Sequence, residues 1–151
     1  MSVTRLVRFS LVAAAVMGCS SDATSPKFSA FVYSAAVSAC GPADGPAVAI
    51  YLAPNPVGAI EPTAPYVRIY VAVEPSELTA HVWPIGARTE AAAWFHTEGS
   101  TSEPADAGYM IVNSVDSDNT ITGSLEIFFP DAGHIKSAFS AKWLPNNALC
   151  V

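Results

Sequence analysis

The sequence predicts an all-β fold, an antiparallel β-sandwich or small barrel of about seven to eight strands. Two patterns predict it. Twelve prolines and nine glycines recur at short intervals and break the chain before a helix of ordinary length can form. Between them lie short runs rich in β-branched and aromatic residues, separated by turn residues every ~8–15 positions.

The elements follow in order along the chain. Residues 28–38 suit a helix by their alanines and a strand by Phe31, Val32, Tyr33 and Val37. Residues 47–53 read as a strand. Residues 66–74 alternate most clearly, with Tyr66, Arg68, Tyr70 and Ala72 on one face and Val67, Ile69, Val71 and Val73 on the other. Strands are expected over 78–85 and 91–97, then over 108–115, 120–129 and 133–144. Asp116, Ser117, Asp118 and Asn119 supply a hairpin loop between two of these runs, and 130–133 the next turn. In the last run Phe139, Ala141 and Trp143 share one face, as a core strand requires.

Ahead of the β pattern lies a different segment. Arg5 and Arg8 make a positive start, and residues 9–17 form an apolar stretch of secretory-signal size, well short of the ~20 residues a membrane span needs. The stretch ends in Val16-Met17-Gly18-Cys19, a small residue directly before a cysteine. This resembles the signal peptide of bacterial lipoproteins. The resemblance implies cleavage after residue 18 and a lipid on Cys19, which anchors the protein to a membrane of the bacterial cell envelope. Ser20 stands where an Asp would resemble an inner-membrane retention signal, so the outer membrane is expected if the cell has two. Residues 1–18 are then the signal peptide, 19–27 a lipidated cysteine and flexible tether, and 28–151 a single β domain.

The C-terminal third carries a second resemblance. Gly108-Tyr109-Met110-Ile111, then Thr122-Gly123-Ser124-Leu125, then Phe139-Ser140-Ala141-Lys142-Trp143 are similar to the three-strand ending of small uncharacterised bacterial lipoproteins. What it implies is a β meander; it brings no activity with it.

With Cys19 assigned to lipid, Cys40 and Cys150 remain as an even pair in an exported chain. A disulfide between them is the economical reading, and two buried free thiols the alternative. On the chain-entropy picture, closing so long a loop contributes about 4–5 kcal/mol.

Charge and motifs exclude several functions. The chain carries a net −6, and losing Arg5 and Arg8 with the signal leaves five basic residues against thirteen acidic ones. That balance argues against nucleic acid as a partner. His81, His96 and His134 come from separate strands with no metal-ligand spacing, so no metal or other cofactor is expected. Counting from Asp116, a calcium loop would need glycine sixth and glutamate twelfth, where Ile121 and Ile127 stand. Glu74 and Glu77 flank Pro75 and Ser76 as solvated turn residues, and no nucleophile elbow occurs, so no catalytic residues are assigned and no enzyme is expected. The aromatic residues remain. Trp83, Trp94 and Trp143, with Tyr51, Tyr66, Tyr70 and Tyr109, offer a stacking platform for sugars, an apolar pocket inside a barrel, or a core filling. The expected function is a membrane-anchored envelope lipoprotein with a non-catalytic binding or structural domain, its protein or small-molecule ligand unspecified. The alternatives are a carrier of a small apolar ligand or lipid in a barrel cavity, and an envelope hydrolase.

Overall fold

The computed structural model describes residues 24–41, 45–58, 61–99 and 101–144. Nine strands are seen among them: β1 (Tyr33–Cys40), β2 (Pro46–Ala53), β3 (Tyr66–Val71), β4 (His81–Ile85), β5 (Ala91–His96), β6 (Ser102–Pro104), β7 (Ala107–Val115), β8 (Thr120–Phe129) and β9 (Gly133–Trp143). They pair in the order β3-β2-β1-β9-β8-β7-β4-β5, and β5 returns to β3, closing an eight-strand barrel with β6 as an extra strand on β5. Of the two architectures the sequence allowed, the barrel is the one formed. Full closure removes most of the exposed strand edge that an open sheet would present.

Most neighbours run antiparallel. The β7–β8–β9 meander is the longest ladder, and β8 pairs with β9 from Thr120↔Lys142 to Phe129↔Gly133. The hairpin tip between β7 and β8 falls at the expected residues, with Asn119 at φ 62°, the left-handed region that Asn tolerates. Two seams are short: β1 meets β9 in parallel only at Ala35↔Lys142 and Ala36↔Trp143, and β4 meets β5 at Ile85↔Ala91.

Alternation fills the interior. Ile50, Leu52, Val67, Ile69, Val71, Met110, Val112, Ile121, Leu125, Ile127 and Ile135 all point inward and are buried. An eight-stranded barrel has an interior just wide enough for side chains to fill. Gly123 marks where the packing is closest. It pairs with Phe139, and a Cβ placed there would lie 2.6 Å from the ring and 2.1 Å from the Ile111 carbonyl oxygen. β2 is buried on both faces, because Ala49, Tyr51 and Ala53 lie beneath Val57, Ala64 and Leu144 on the outside of the barrel.

The segment before β1 departs from expectation in two ways. The ambiguous run from residue 28 is no continuous helix or strand: Pro26–Phe28 form a 3-10 turn and the strand begins at Tyr33. The end of the expected flexible tether is also docked. The Ser25 amide donates to the His134 carbonyl at 2.6 Å, and the Thr24 hydroxyl oxygen accepts from the Lys136 amide at 2.9 Å. The physical reason is the short β1–β9 seam, which leaves the first half of β9 with backbone groups that need partners. Phe28 then closes one end of the barrel, its ring 5.3 Å from Phe31, 5.1 Å from Phe95 and 5.7 Å from Phe129. The three-residue β6 was not foreseen, and Cys19 and the signal segment lie outside the described residues.

Candidate functional site

Antiparallel register builds a polar and aromatic face on the outside of the barrel. β3 sets Tyr66 opposite His96, Arg68 opposite Trp94 and Tyr70 opposite Ala92 on β5, while its other edge sets Arg68 opposite Tyr51 on β2. The residues between these, Val67, Ile69, Ala93 and Phe95, face the core. One alternating strand thus serves both purposes.

The loop leading into β3 adds Glu61. Its Oε1 accepts from the Tyr66 hydroxyl and, at 2.8 Å, from Arg68 Nη1. The His96 ring stacks on Tyr66 with centroids 4.4 Å apart and planes at 11°. Tyr51 meets the Tyr66 ring edge-on at 5.8 Å. The Arg68 guanidinium lies 4.8 Å over the Tyr70 ring, and Tyr70 meets Trp94 edge-on at 5.7 Å. Across the β5–β6 hairpin the Thr97 amide donates to the Thr101 carbonyl at 3.0 Å, and the two threonine hydroxyls hydrogen-bond.

Of these residues Glu61, Tyr66, Arg68, His96 and Thr97 line an open cleft of about 700 Å³ between loop 61–64 and the hairpin tip 97–99. Its size is that of small-molecule sites, which run from ~300 to ~1,000 Å³. Burial, then the hydrogen bond to Glu61, raises the Tyr66 phenol well above its usual range, so it stays protonated. Burial also raises Tyr51. Burial, and secondarily the Arg68 charge, lowers His96 below the usual imidazole value, so its ring is neutral near pH 7. Arg68 Nε and His96 Nε2 are buried and make no hydrogen bond among the described residues. These two unpartnered nitrogens lie beneath the cleft surface, beside a carboxylate held by two donors.

The sequence-predicted residues are dispersed. Trp83 faces the core and is 5% exposed. Trp143 is half-buried against the same core at the far end of β9, with Phe139 and Ala141 on its face as expected. Trp94 is half-buried on the outer face, next to Arg68. The three indoles do not form one platform, because Trp83 occupies an inward position and Trp94 an outward one. His81 meets Trp83 edge-on at 4.8 Å, and His134 stacks on Phe128 at 4.4 Å beside Glu126, well along the barrel wall from the cleft. Asp116 and Asn119 close a hairpin through backbone hydrogen bonds, and among the described residues no three His, Cys, Asp or Glu side chains gather as a metal site. Cys40 ends β1; Cys150 lies outside the described residues.

Glu61, Arg68, Thr97 and Glu98 were not singled out as site residues. A signal for one existed: Arg68 lies between two tyrosines on the polar face of the clearest strand. No protein family, curated protein or solved structure matches the chain.

Proposed function

We propose that this chain is a membrane-anchored envelope lipoprotein whose barrel is a non-catalytic binding module, with the Glu61–Tyr66–Arg68–His96 cleft as its ligand site. The observation that carries the binding reading is the contrast between a side-chain-filled interior and an outer cleft where charged, aromatic and unpartnered polar atoms converge. The anchor is supported by the Arg5/Arg8, apolar and Gly18-Cys19 pattern. A Cys40–Cys150 disulfide is supported by geometry at the C-terminal end of β9. That strand runs parallel to β1 there, and the Leu144 amide donates to the Ala36 carbonyl at 2.8 Å, so β9 itself is directed toward the Cys40 end of β1.

The carrier alternative needs interior space, and the inward positions are occupied by tightly buried aliphatic side chains under Phe28. The hydrolase alternative draws on His96 and Glu61 lining one cleft. Against it, Glu61 is engaged by Tyr66 and Arg68, and the neighbour stacked on His96 is a phenol ring rather than a nucleophile.

Two experiments test the proposal. Metabolic labelling with a palmitate analogue should mark the wild type and leave Cys19→Ala unlabelled; equal labelling of both defeats the anchor. Titrating the ¹⁵N-labelled protein with a fragment library should shift the amide resonances of Arg68, His96 and Thr97. A library that moves no resonance in the cleft defeats the binding reading.

A further inference from the structure

Resting on the cleft being a binding site, we infer that its ligand is a neutral glycan, one sugar ring seated over Arg68 and His96 and the next against Trp94. Charge excludes the commonest small ligands first. The charged residues lining the cleft are Glu61, Arg68 and Glu98, and the Arg68 charge is already met by Glu61. An anion such as phosphate would face two carboxylates against one engaged cation. Inside the cleft the aromatic rings are Tyr66 and His96, stacked on each other, so an ammonium ligand seated there finds no open aromatic face. A wholly apolar ligand would strand the carboxylate and guanidinium without water.

Sugar hydroxyls, each both donor and acceptor, match what is left. Glu61 uses Oε1 for both of its internal hydrogen bonds, so Oε2 can accept. Arg68 Nε and His96 Nε2 lack protein partners and lie just beneath the cleft surface, so a hydroxyl bonds them when those half-buried side chains turn outward. A buried polar atom left unpaired carries a desolvation cost that a bound hydroxyl removes. The face continues beyond the cleft. Trp94 lies two residues from His96 on the same side of β5, about 6.6 Å along the strand. Its indole borders two smaller pockets, one lined with Pro104 and Ala105 and the other with Tyr70 and Thr89. Amphipathic rings stack on such surfaces by their apolar C–H faces, so the arrangement suits a chain of sugars rather than a single one.

The test is native affinity electrophoresis of the detergent-purified full chain in gels containing dextran, galactomannan, mixed-linkage β-glucan or polygalacturonate. Retardation in at least one neutral polysaccharide and none in polygalacturonate is expected. Trp94→Ala and Glu61→Ala should each weaken that retardation about ten-fold or more, the value of one charge-assisted hydrogen bond or ring contact. Glu61 is an exposed loop residue, so its variant tests the site even if Trp94→Ala fails to fold. Free mobility in every neutral gel, retardation by polygalacturonate, or unchanged retardation of Glu61→Ala overturns the inference. If fragments shift the cleft resonances while no polysaccharide retards the protein, the glycan is wrong and the binding site stands. If neither responds, both fall.

Discussion

Replacing Phe28 with Ala tests whether the segment before β1 belongs to the folded barrel. Phe28 is 2% exposed and meets three other phenylalanine rings at one end of the barrel. Its transfer from water contributes about 1.5–3 kcal/mol. Truncation also leaves a void, because Phe31, Phe95 and Phe129 are held by their own backbones and collapse only in part. At ~24 cal/mol per Å³, a residual cavity of roughly 60 Å³ adds ~1.5 kcal/mol. The expected loss is therefore about 3–4.5 kcal/mol, within the range of buried Phe→Ala changes. With a urea dependence of roughly 2 kcal/mol per molar, the unfolding midpoint should fall by about 1.5–2 M. Urea titration followed by tryptophan fluorescence and far-ultraviolet dichroism together reads this directly. Lys27→Ala, which removes only a cation 5.7 Å from the Phe95 ring, should cost no more than ~1 kcal/mol. A Phe28→Ala loss below ~1 kcal/mol would refute the docking of residues 24–28 and restore the flexible tether up to the domain.

Three further outcomes follow from the same structure. Gly123→Ala should cost at least ~1–3 kcal/mol by calorimetry, since its methyl would press on Phe139 and the Ile111 carbonyl; a neutral result would mean that the β8–β9 register is wrong. Because burial lowers the folded-state pKa of His96 below its unfolded value of 6.5, its contribution is fully present above pH 6.5. It is lost as pH falls through the lowered value, so wild-type Tm should decline there more than that of His96→Gln; parallel profiles would contradict the burial. An alkaline titration at 295 nm should show that Tyr66→Phe removes a phenol that does not ionise near pH 10; loss of an ordinary tyrosine step instead would show that Tyr66 is neither buried nor bonded to Glu61 in solution.

The meander and the β3 strand were legible because alternation and turn chemistry are local. Tyr66, Arg68 and Tyr70 could be placed on one face from spacing alone, and Asn119 marks its turn by tolerating a positive φ. Closure was not legible, since the β3–β5 ladder that joins the ends of the sheet depends on which strands meet, and no single segment encodes that. Thr24 and Ser25 were misread for a related reason. A short run of small polar residues before a proline resembles a linker, and only the unpaired edge of β9, more than a hundred residues away, gives Thr24 and Ser25 something to bond. Trp83 and Trp94 resembled each other in sequence, each beside a histidine-bearing run, yet one residue of register sends one indole inward and the other outward. Glu61 was hidden because it lies in a loop, where its partner Arg68 is fixed by the path of the chain around Ala64 and Pro65 rather than by any period.

Where this barrel could bind a ligand is narrowed by how its interior is filled. Eight strands enclose a space that aliphatic side chains fill, and here Ile50, Ile69, Met110, Leu125 and Ile135 do so with Phe28 across one end. A ligand site must then be made from the outward-facing alternate positions, which in most barrels meet solvent and carry small or singly charged residues. On β3 and β5 those positions instead hold Tyr66, Arg68, Tyr70, Trp94 and His96, with Tyr66–His96 and Tyr70–Trp94 touching across the ladder and Arg68 lying over Tyr70 along β3. Cross-strand pairs of this kind are worth only ~0.2–1 kcal/mol apiece to a sheet. A barrel already held by its filled interior has little need of them for stability. Concentrating them on one outer face, with a carboxylate brought in from a loop and two buried nitrogens left unpaired, is what recognition of a polar ligand requires.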